Sequence, residues 1–303
     1  MLFSRVFVIA FTFVIIFSCT QKENKEVIAD ILVEDLNFSK EAVFDSVQVP
    51  HHLRKIVRYI STLNTYETEA LAKGGTENLN FENAKKLYDQ ASEEELLNLT
   101  DNKNNAVAMY AAVGLLEINP QYVTAVFQKF LNRKGKVHTQ NGCIIDYEYL
   151  AEPLYQKYFN TLKPEEVRSD IKMQKLDSML LFAENASELI LTTAFRNRTY
   201  SDHLKKQIEK LAFQEHRGSA VLYLSNWHKK EYAQQLQREY LHFLTNDTIH
   251  EIQSRNYLYH LMSFNNPDNK KAILEYIKKD SASIDDSGIR LQLENNGIYP
   301  TAY

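Results

Sequence analysis

From residue 50 onward, apolar residues recur three and four positions apart, and alternation with period two is almost absent. Such spacing lines up apolar side chains along one stripe of an α-helix, whereas a strand would need them at every second position. Glycine and proline, at eight and six in 303 residues, are too sparse for the frequent turns of a sandwich or barrel. The expected fold class is therefore all-α, with short polar connections between helices. A formal charge of −4 argues against a nucleic-acid partner, which calls for a concentrated basic face.

Leu53, Ile56, Val57, Ile60, Leu63 and Leu71 predict one long helix from His51 to Ala72, stopped by Gly74-Gly75. Phe81 to Leu99 reads as a shorter helical pair, with Ser92-Glu93-Glu94-Glu95 offering a capping box before Leu96. The segment Asn105 to Glu117 is apolar throughout, and Asn119-Pro120 turns it into Tyr122–Leu131. Helices are expected next at Tyr147–Leu162 and Pro164–Ala183. Three further units follow: Ala186–Arg196 returning to Leu211, Ser219–Asn226 with Glu231–Leu244, and Ser254–Ser263 with Lys270–Ile277. Each is a helix, a short polar turn and a helix, and the first helices begin roughly 31 to 36 residues apart, a solenoid period.

The predicted architecture is thus an α-solenoid of stacked helical hairpins over residues 50–303. The alternatives are an irregular bundle or a TPR array, although no unit carries the TPR signature. With its Ala-rich helix Ala106–Leu116, the Asn119-Pro120 turn and Asn141-Gly142-Cys143, the chain resembles HEAT-like α-helical-repeat lipoproteins of Bacteroidota over roughly residues 100–280. That resemblance implies architecture and no chemistry.

Residues 1–18 read as a lipoprotein signal peptide. Arg5 precedes an apolar run from Val6 to Phe17, shorter than the ~20 residues of a spanning helix but suited to a cleavable leader. Ile16-Phe17-Ser18-Cys19 resembles the lipobox of bacterial lipoproteins, with Phe17 a departure from its commonest form. The resemblance implies lipidation at Cys19 and an anchor in the cell envelope, expected at the outer membrane. Residues 19–49 then form a tether and N-terminal segment, and Thr20–Glu26 resembles the short surface-export signal of Bacteroidota lipoproteins, with Asn24 in place of one acidic residue. Asp45-Ser46-Val47, Asp177-Ser178-Met179, Asp247-Thr248-Ile249 and Asp280-Ser281-Ala282 match the O-glycosylation triplet of that phylum. With Cys19 lipidated, Cys143 has no partner cysteine for an intramolecular disulfide.

The longest polar break within the repeats, residues 132–146, holds Lys134, Lys136, His138, Gln140, Asn141, Cys143 and Asp146. Long loops concentrate binding residues, so His138, Gln140, Asn141 and Asp146 are candidate ligand contacts. A plainer reading has this loop packing Cys143 and Ile144 under the next hairpin. His138 and Cys143 are the pair an enzyme at this loop would use. Nine histidines show no metal-binding spacing, and no metal or cofactor is expected. Tyr147, Leu150, Leu154, Tyr158 and Leu162 share a helical stripe and read as core. Trp227, the sole tryptophan, precedes the basic run His228-Lys229-Lys230 and is a candidate interaction anchor. The leading functional expectation is a membrane-anchored scaffold that holds a protein or peptide. The alternatives are a glycan-binding accessory lipoprotein of an outer-membrane uptake system, and an enzyme centred on residues 132–146.

Overall fold

A computed structural model describes residues 44–69, 78–184, 186–196, 198–245, 251–279 and 287–299. The leader, Cys19, the tether to residue 43 and the triplets at Asp247 and Asp280 lie outside the described residues. The described chain is mostly helical, as expected for an all-α protein, with one small three-stranded sheet. No described helix is long and apolar enough to cross a membrane. Two compact units divide the chain, one ending at Leu154 and the other beginning at Tyr155.

In the first unit, a 3-10 turn at His51–Leu53 leads into α1 (Arg54–Leu63), which buries Ile56, Val57 and Ile60. The single helix expected to reach Ala72 ends at Leu63. Asn64 takes a left-handed conformation (φ 48°), which asparagine tolerates better than most residues, and Thr65–Glu67 becomes β1. Asn78 caps α2 (Leu79–Gln90) by accepting from Phe81 N. The capping box read from the sequence is present at α3 (Glu93–Leu99): Ser92 Oγ accepts from Glu95 N at 3.3 Å, and Glu95 Oε2 accepts from Ser92 N at 2.9 Å. The bonds that Ser92 N and Ser92 Oγ donate to Glu95 Oε2 hold its carboxyl below the ordinary range.

Helix α4 (Asn105–Ile118) is the hub of this unit. Every residue from Ala106 to Leu116 is buried, as a helix without a polar face requires. It packs against α1, α2, α3, α5 (Val123–Leu131) and the sheet. Small residues permit that crowding: a Cβ on Gly114 would lie 2.5 Å from the ring of Tyr88.

The sheet corrects the all-helical reading of residues 136–149. β2 (Lys136–Asn141) runs parallel to β1 and antiparallel to β3 (Ile144–Tyr149). Gly142 and Cys143 form the two-residue turn, Gly142 at φ 62°, as tight hairpins demand. The helix expected from Tyr147 therefore starts only at Ala151, as α6 (Ala151–Thr161). Leu150, Leu154 and Tyr158 are buried, as is neighbouring Tyr155, so the core reading of the stripe holds for those three members, while Tyr147 and Tyr149 sit on β3.

The second unit continues through α7 (Ile171–Leu181), α8 (Glu188–Phe195), α9 (Asp202–Phe213), α10 (Gly218–Trp227), α11 (Ala233–Thr245), α12 (Glu251–Met262), α13 (Lys270–Lys279) and α14 (Ser287–Asn295). The helices read from the sequence appear here, with α7 starting later than expected because Pro164–Ser169 forms turns. Packing follows two interleaved series. α8 contacts α10 and α12 contacts α14, while α7 contacts α9, α9 contacts α11 and α11 contacts α13. Contacts α9–α10, α10–α11 and α11–α12 join the series. A buried ion pair lies inside: Arg198 Nη1 donates to Asp177 Oδ2 at 2.5 Å, Arg198 Nη2 donates to the Tyr155 hydroxyl at 2.6 Å, and that hydroxyl donates to Asp177 Oδ1 at 2.6 Å. Burial pushes the Asp177 carboxyl up, and the guanidinium and its hydrogen bonds pull against that shift. The Asp177 triplet is thus inside a helix with its aspartate engaged, whereas Asp45-Ser46-Val47 sits in a turn with Ser46 and Val47 exposed.

Candidate functional site

Residues 132–146 hold four of the candidates, and the hairpin separates them. Residues paired across an antiparallel ladder share a face, and neighbours along a strand point to opposite faces. His138 pairs with Tyr147 and Thr65, and Gln140 pairs with Ile145 and Glu67. Asp146 pairs with Thr139, which places it on the other face. His138 Nδ1 lies 2.8 Å from Thr65 Oγ1, and its ring is 5.0 Å from that of Tyr147. Burial lowers the His138 pKa, favouring the neutral ring. Asn141 Oδ1 accepts from Thr68 Oγ1, and Asp146 Oδ1 accepts from Tyr147 N. These are the contacts of a folded strand pair rather than of groups converging on a ligand.

Cys143 is exposed in the turn, and Ile144 and Ile145 are exposed beside it. Their packing beneath the next hairpin is therefore corrected: a two-residue turn projects its tip outward. The Cys143–His138 pair does not form either, since His138 is three ladder positions back from the turn and bonded to Thr65. No group of three or more histidine, cysteine or acidic side chains is placed to hold a metal ion among the described residues.

Trp227 stands elsewhere, and it is not alone. Helices α8 and α10 run in the same direction: Glu188 in the first turn of α8 accepts from Ser219 N at the start of α10, at 2.8 Å. Between them lies a groove of about 340 Å³, at the small end of ligand sites. Its floor is made by Phe195 and Tyr223, both buried, with ring centroids 5.0 Å apart. Tyr223 is fixed by accepting from Tyr200 N at 3.1 Å, and burial raises its pKa. Thr192 and Arg196 from α8 and Leu222, Asn226 and Trp227 from α10 complete the walls, the indole 43% exposed.

The polar complement of the groove is unevenly satisfied. Ser219 lines it, is 5% exposed, and its Oγ has no hydrogen-bond partner among the described residues. Arg196 is exposed, and its guanidinium has no ion-pair partner among them. The acids of the adjoining segments are occupied. Glu188 receives Arg217 Nε and Ser219 N, and Glu231 receives Lys205 Nζ at 3.0 Å. The groove thus presents an apolar aromatic floor, one exposed indole, an unengaged cation and a buried unsatisfied hydroxyl.

Compared with known proteins, the chain matches no family model, no curated protein and no solved structure.

Sequence reading found Trp227 and missed its neighbours. Thr192 and Arg196 on α8, and Leu222 and Asn226 on α10, each stand four apart and face outward from otherwise apolar helices. That outward i, i+4 pairing was the available signal, and it acquires meaning only once α8 and α10 are known to be neighbours.

Proposed function

We propose that this protein is a lipid-anchored lipoprotein of the bacterial cell envelope whose helical-repeat unit binds a protein or peptide partner along the α8–α10 face. The observation that carries the reading is Trp227, exposed on the wall of a groove whose floor is formed by the buried, packed rings of Phe195 and Tyr223. A large aromatic on a preformed surface loses little side-chain entropy on binding, and tryptophan is enriched among residues that dominate interface energetics. The two interleaved packing series of the second unit support the α-solenoid reading, in which adjacent helices offer an extended face for a partner. An extended peptide fits this groove better than a glycan, because Phe195 and Tyr223 lie buried beneath it and only Trp227 offers an open ring. The leader and Cys19 support the anchor.

Both halves of the reading are testable in intact cells. An alkyne palmitate analogue should label the protein, and Cys19→Ala should abolish the label; a label that persists contradicts the anchor. A benzophenone amino acid in place of Leu222 should trap a discrete protein adduct on irradiation, while the same probe in place of exposed Gln234 on α11 should not. Equal adducts from both positions contradict the groove as the binding face.

A further inference from the structure

The groove also constrains what kind of peptide it takes. Arg196, exposed at the C-terminal end of α8, offers planar donors suited to a carboxylate. The Trp227 indole, also in the lining, carries a donor and no acceptor. Beside it stand Phe195, Leu222 and the Tyr223 ring, an apolar shelf.

We infer that the α8–α10 groove selects peptide segments in which an apolar side chain is followed closely by a carboxylate, the apolar group resting on Phe195, Leu222 and Trp227 and the carboxylate meeting Arg196. This deepens the peptide-binding reading and rests on it. An anionic segment would approach a chain of net charge −4, so the attraction has to be local, and Arg196 is the unengaged cation in the groove lining.

The protein holds its own reporter, because Trp227 is the only tryptophan. Purified protein is titrated with a blocked Gly-Leu-Asp-Gly peptide, with its Leu-Asn isostere and with a neutral trisaccharide, and indole emission is followed. The aspartate peptide should shift the emission saturably and bind about tenfold more tightly than the asparagine one, the scale of one charge-assisted contact. Arg196→Gln, on an exposed position, should erase that preference and leave the melting temperature unchanged. Equal affinity for aspartate and asparagine peptides, or a saturable response to the sugar alone, overturns the inference. Silence toward all three probes while the Leu222 adduct still forms in cells also overturns it, and leaves the wider partner-binding reading standing.

Discussion

The two units solve the same packing problem in opposite ways. The first is organised around one helix: α4 is buried from Ala106 to Leu116, and three helices, α5 and a small sheet close over it. Among the described residues the second has no such hub. Its helices pack in two interleaved series, none wholly enclosed, and its interior includes the Tyr155–Asp177–Arg198 cluster. A hub consumes its surroundings in making a core. A laminate leaves one side of each helix outward, and the α8–α10 groove lies on such a side.

Substitutions should expose that contrast, most strongly at the buried ion pair. Arg198→Met leaves Asp177 buried with only tyrosine hydroxyls, those of Tyr155 and Tyr200, beside it, and removing one partner of a buried pair costs about 3–5 kcal/mol. The second unit should then melt well below the first in a calorimetric scan, with a second, apolar replacement of Asp177 recovering much of the loss. Simultaneous melting of both units would remove the distinction between them. In the hub, Gly114→Ala drives a methyl into the Tyr88 ring, and overpacking of this kind costs about 1–3 kcal/mol. The matching change in the laminate, Gly218→Ala, meets only the hydroxyl end of Tyr257 and should cost less, with Tyr257→Phe restoring part of it. Denaturant melts of the three variants check the order.

The smallest effect concerns pH. Burial raises the Glu148 carboxyl, the Asp146 charge adds to the shift, and the hydrogen bond from Thr139 Oγ1 at 2.6 Å opposes it. A raised carboxyl favours folding in its protonated form, so its stabilising contribution is intact below the ordinary glutamate range and lost as pH rises through the folded-state value. Glu148→Gln should therefore raise the melting temperature at neutral pH, and the gain should fade on acidification. A gain that grows toward acid would reverse the sign and refute the assignment.

Helices were legible where one face or all faces were consistently apolar. α4 announced its burial by lacking a polar side, and the capping box at Ser92 marked the start of α3 from four residues. The sheet was not legible because its strands hide their period. In Val137-His138-Thr139-Gln140 the inward residues are one valine and one threonine, and the outward ones are polar but half-buried. Only Asn141-Gly142 hints at a tight turn, and the polar residues on either side of it carry the composition of a loop. β1 was hidden inside an apparently continuous helix, since three residues carry no periodicity and the stop depended on the backbone angle of Asn64. At the groove, Trp227 could be singled out for its rarity and amphipathic character. Arg196 and Ser219 could not, because their missing partners are facts of tertiary packing.

The central claim, that binding belongs to the laminate and not to the hairpin on the hub, has one direct test. Adduct yield from the probe in place of Leu222 is measured in intact cells for Trp227→Ala and for a His138→Ala, Gln140→Ala, Asp146→Ala triple variant, each at matched expression. The account predicts that Trp227→Ala loses at least about tenfold of the yield, the scale of a modest interface anchor, while the triple variant keeps it. A full yield from Trp227→Ala together with a lost adduct in the triple variant would contradict it.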